Sequence, residues 1–160
     1  MDSLIGFAGA VQDSAFGGWA SQSSRAYPVA NVVHLLGLVM LVGGIGILDL
    51  RLAGAFRALP AAALSRALTP LALAGLALMV PSGAVMFAAD AEALATSPTF
   101  RWKLVLIALA LANAVAFRWL WRDRIANWDV APPLAGRLMA AGSLALWLAV
   151  GTLGRMIAYS

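Results

Sequence analysis

Cysteine is absent from this chain and histidine occurs once. The first absence excludes disulfides, thiolate metal sites, iron–sulfur clusters and c-type haem attachment from this chain alone. Together they leave no zinc spacing and no nucleophile–base pair, and no glycine-rich phosphate loop is present either. Nothing in the chain therefore points to a self-sufficient enzyme. Charge is scarce too, at 11% of residues, where an ordinary soluble domain carries about 25%. The opening run MDSLIGFAGAVQDSAF has no basic stretch and carries Asp2 and Asp13, so no cleavable signal is expected.

What is present is apolar. Hydrophobic residues make up 62% of the 160, with a mean hydropathy of +0.88. They are arranged in long runs, the pattern of an integral membrane protein. The net charge of +4 does not point to nucleic acid, because the basic residues flank the apolar runs, as membrane topology requires. The expected fold is all-α, an integral membrane four-helix bundle with an N-terminal interfacial amphipathic helix. Residues 1–26 form the interfacial segment, with Leu4, Ile5, Phe7, Ala8, Val11, Phe16 and Trp19 at mostly three- and four-residue steps. Residues 27–160 form the bundle, with spans near 28–49, 70–89, 101–121 and 137–158.

Further signals refine this outline. Pro60 is read as opening a short interfacial helix, Pro70 the second span, and Pro81-Ser82-Gly83 as a kink within it. Trp102, Trp119 and Trp121 suit an aromatic belt. The connections after spans one and three hold Arg51, Arg57, Arg66, Arg118, Arg122, Arg124 and Arg137, against Arg25, Arg101, Lys103 and Arg155 on the other side. That bias predicts both termini outside the cell, in the periplasm of a bacterial inner membrane.

The single histidine, His34, falls inside the first span, six residues past Pro28 and so about 9 Å below its outer edge. An ionisable group at that depth is costly and marks a functional site by default. Asn31 and Tyr27 share its helix face, and Gly37 and Gly44 leave a shallow groove beneath it. Arg101, Lys103, Arg155, Thr152 and Tyr159 gather toward the same side of the membrane. One reading is a b-type haem ligated by His34, with Asn31 or Tyr27 orienting the ring and Arg101, Lys103 and Arg155 pairing with propionates. Gly37 would then floor the slot, and the role would be electron transfer for a partner membrane or periplasmic redox protein, or within a homo-oligomer.

Two other readings stand beside it. The groove can be a helix-packing surface and His34 a hydrogen bond across the bundle, as in a cofactor-free accessory subunit. Met40, Met79 and Met86 raise copper, and Asp49 a proton path, although these methionines form no close cluster and suit core filling. Asp49 and Arg51 otherwise cap the inner end of span one and pair with neighbouring groups.

The stretches AYPVANVVHLLGLVMLVGGIGILDLRLAG, SPTFRWKLVLIALA and GRMIAY resemble a family of small, functionally uncharacterised bacterial four-span membrane proteins. The shared features are His-Leu-Leu-Gly in span one, Asp-Leu-Arg-Leu at its end, Phe-x-x-Lys opening span three and Gly-Arg-x-Ile closing span four. A looser similarity is to the membrane part of copper-resistance D proteins. The resemblance implies the four-span fold and the membrane location, and its motif positions include His34, Asp49, Arg51, Lys103 and Arg155.

Overall fold

The computed structural model describes residues 2–157, so Tyr159 lies outside the described residues. Among the described residues seven α-helices follow in order, and four of them are long and apolar enough to cross a membrane. These are α3 (Ala26–Ala53), α4 (Ala61–Ala89), α6 (Pro98–Trp121) and α7 (Leu134–Met156). The remaining helices are α1 (Asp2–Gln12), α2 (Ala15–Gln22) and α5 (Ala91–Thr96), and a 3-10 turn follows α6 at Arg122–Asn127.

Helix α3 is central, lying against α4 on one side and α7 on the other, while α6 leans on α7. Helices α4 and α6 meet through side chains, with Phe87 of α4 stacked on Phe100 of α6 at 5.6 Å between ring centroids. Its middle is filled by Leu41, Ala72, Ala110, Trp147 and Val150, contributed by all four spans. In a bilayer no hydrophobic force joins helices, so close approach of small residues and cross-helix hydrogen bonds must do it. Gly37 and Gly75 meet at the α3–α4 crossing, where an added Cβ at Gly37 would lie 2.7 Å from the Gly75 carbonyl. Gly44 repeats the contact two turns on, against Leu68 and Ala72. Between α6 and α7, the Asn113 amide donates to the Met139 carbonyl at 3.1 Å.

Helix α4 is continuous where the sequence predicts a short helix and then a span. Pro70 and Pro81 both lie inside it. Each is on the exposed side, as is Arg66, whose carbonyl Pro70 leaves without its helical donor. The missing bond falls outside the core, and the helix runs on.

The N-terminal segment is two helices, broken where Ser14 caps α2 by accepting from the Gly17 amide at 3.1 Å. Gly17 is required at this corner, since a Cβ there would meet the Gln12 carbonyl at 2.3 Å. One side of this hairpin packs on the bundle, with Ala8 against Ala91 and Ala95 of α5 and with α2 along α4. The other side exposes Phe7, Phe16 and Trp19, as a segment at the membrane interface should. Both termini are thus at one end of the bundle, the terminal end; the opposite end carries most of the arginines.

Candidate functional site

At the terminal end, α3 brings His34 against α4. Its Nδ1 lies 3.0 Å from Ser82 Oγ. That hydroxyl has one hydrogen and directs it to the Leu78 carbonyl at 2.6 Å, one turn back on its own helix. Toward the imidazole Ser82 can only accept. The ring therefore carries its proton on Nδ1, and Nε2 keeps the lone pair. Ser82 is buried, which isolates this bond from competing water.

Two glycines make room around the ring and its neighbour. An added Cβ at Gly83 would meet His34 Cε1 at 3.2 Å. From α6, Lys103 extends to lie beside Gly154 of α7, where an added Cβ would be 3.4 Å from Nζ. Its ammonium is also within electrostatic range of the His34 ring. Lys103 makes no hydrogen bond or ion pair among the described residues. The site thus unites four spans: imidazole from α3, hydroxyl from α4, ammonium from α6 and the glycine that seats it from α7.

The other predicted members are distributed differently. Asn31 and Tyr27 are exposed on α3, and it is Ser82 that holds the ring. Gly37 is buried under Gly75 and Met79, so the groove below the histidine is filled by α4. Arg101 folds back to the end of α5, its Nη2 donating to the Thr96 carbonyl at 2.7 Å. Arg155 is exposed in the last turn of α7, directly after the glycine that seats Lys103. Thr152 bonds its own helix at the Leu148 carbonyl. Among the described residues no three His, Cys, Asp or Glu side chains cluster as metal ligands.

The opposite end holds a second constellation that the sequence barely announces. Arg51, only 4% exposed, donates from Nη2 to Asp129 Oδ1 at 2.5 Å and from Nε to the Leu59 carbonyl at 2.6 Å. The same Asp129 oxygen accepts from the Ala61 amide at 3.0 Å, so a distant loop residue caps the start of α4. Trp128, 1% exposed, donates to the Leu52 carbonyl at 3.1 Å and lies among Phe117, Trp121 and Gly136. The expected partner for Arg51 exists, and it is Asp129. Asp49 faces the other way, toward Ser143 of α7, and among the described residues its buried Oδ2 has no hydrogen-bond partner. A tryptophan outside every apolar run, between Asn127 and Asp129, was the available signal for this cluster.

No family model, no curated protein and no solved structure matches this chain.

Proposed function

We propose that this chain is a binding module of the bacterial inner membrane that presents His34 Nε2 to a b-type haem or a similar redox group, in an electron-transfer or redox accessory role. The observation that carries this reading is the Ser82 bond. A hydroxyl that can only accept fixes the tautomer and leaves Nε2 available, the arrangement by which a protein orients a ligating imidazole. Lys103 would supply a cation for a carboxylate on such a group. Beside Gly37 the space is taken by α4, and Arg101 spends Nη2 on the Thr96 carbonyl. Haem supplies one-electron chemistry when bound; this chain's residues hold the ring and offset the charge. Any further ligand for such a group would have to come from a methionine or from another subunit.

In this reading both termini are periplasmic and the arginine-rich end is cytoplasmic, following the bias in basic residues. It also places the chain with the uncharacterised four-span bacterial proteins whose motif residues it carries. Protein purified after expression with ample haem should show a Soret band, lost in His34→Ala and weakened about tenfold or more in affinity in Ser82→Ala. Colourless wild-type protein under those conditions refutes the proposal.

A cofactor-free accessory subunit is the second reading, favoured by the direct Gly37–Gly75 contact in place of a slot. It predicts a stoichiometric partner chain on purification, and weaker assembly in His34→Ala.

A further inference from the structure

At the arginine-rich end a cleft of about 130 Å³ is lined by Arg51, Arg57, Arg137, Trp128 and Asp129, beside the turn that ends α3. Three guanidinium groups face one carboxylate. Each is tethered by its Nε to a backbone carbonyl: Arg51 to Leu59 at 2.6 Å, Arg57 to Gly54 at 3.2 Å and Arg137 to Ala53 at 2.9 Å. Tethering at Nε spends the inner donor and fixes the plane of the fork. The outer nitrogens, Arg51 Nη1 and both Nη atoms of Arg57 and Arg137, make no hydrogen bond among the described residues. The carboxylate is already engaged, since Asp129 Oδ1 serves both Arg51 and the Ala61 amide. Helix capping alone would account for the Nε bonds. It does not account for three cations brought to one cleft with five terminal nitrogens unspent, where mutual repulsion opposes the arrangement.

We infer that this cleft binds a phosphate oxyanion, supplied by the headgroup of an anionic lipid or by a soluble phosphate. Planar forks held in place suit tetrahedral oxyanions, which accept from two or three donors at once. The cleft lies where α3 ends and α4 and α7 begin, at the end of the apolar spans, where a bilayer would place its phosphates. Basic pockets between spans at a membrane face are where acidic headgroups bind. The inference does not depend on any group bound at His34.

The full chain in detergent would be probed by native mass spectrometry and thermal unfolding with phosphatidylglycerol, phosphatidylcholine and inorganic phosphate. Retention of phosphatidylglycerol but not phosphatidylcholine, with affinity falling about tenfold or more in Arg57→Gln and in Arg137→Gln, supports the site and assigns the lipid source. Protection by inorganic phosphate, lost in the same variants and without lipid selectivity, supports the site with a soluble source. Arg66→Gln, outside the cleft, should change neither. If Arg137→Gln fails to fold, Arg57→Gln decides alone, because Arg57 is exposed. Wild-type binding by Arg57→Gln and Arg137→Gln, or no response of the wild type to either anion, overturns the inference.

Discussion

Substituting Gly37 by alanine tests how α3 and α4 are joined. The new Cβ would lie 2.7 Å from the Gly75 carbonyl and 2.8 Å from Met79 Cγ. Ordinary contact begins near 3.4 Å, so the crossing must open by about 0.7 Å on the carbonyl side. Methionine can yield; a helix backbone cannot. Overpacking of this kind costs about 1–3 kcal/mol. Replacing glycine by alanine within a helix returns up to about 1 kcal/mol of conformational entropy, which masks part of the loss. Gly43→Ala removes that ambiguity, because nothing stands within 4 Å of its added Cβ. The difference between the two variants isolates the packing term, and Gly37→Ala should be the less stable by about 1–3 kcal/mol. The same shift carried to Ser82 would stretch the 3.0 Å His34 bond to about 3.7 Å, beyond hydrogen-bond range. Unfolding titrations in mixed micelles measure the first effect, and nitrogen NMR of the labelled imidazole reads the tautomer for the second. Equal stabilities in the two variants, with an unmoved Nδ1 signal, would refute the account of the crossing.

Other outcomes follow from the arginine-rich end. Trp128→Ala empties a site closed by Phe117, Trp121 and Gly136 and should lower stability by about 3–5 kcal/mol in the same titrations, Trp128→Phe by less. Asp129→Ala strands the buried Arg51 cation and the Ala61 amide, so it should be more damaging than Arg51→Met. The double variant should recover part of the loss in a mutant cycle. Gly54 has φ +124° and passes close to Arg137, where an added Cβ would meet Nη2 at 2.8 Å. Gly54→Ala should therefore cost about 1–3 kcal/mol in thermal unfolding; a neutral result would contradict the reading of that turn.

The sequence by itself determined the membrane class, the number of spans and their approximate limits. Those depend on the length and polarity of apolar runs, which a bilayer tests one helix at a time. It also singled out His34 and Lys103, because an ionisable residue in such a run is conspicuous wherever it points. Only the tertiary structure decided what they face. Ser82 looked like part of a proline kink, and its hydroxyl became the imidazole's partner when α3 and α4 crossed at paired glycines 38 residues apart in the chain (Gly37 and Gly75). Asp129 and Arg51 are separated by 78 positions, and no periodicity links them. Arg101 and Gly37 carried the right chemistry for a cofactor site and were engaged elsewhere. Local pattern fixes which helices exist, whereas the depth and rotation at which they meet fix which side chains touch, and no stretch of chain records that by itself.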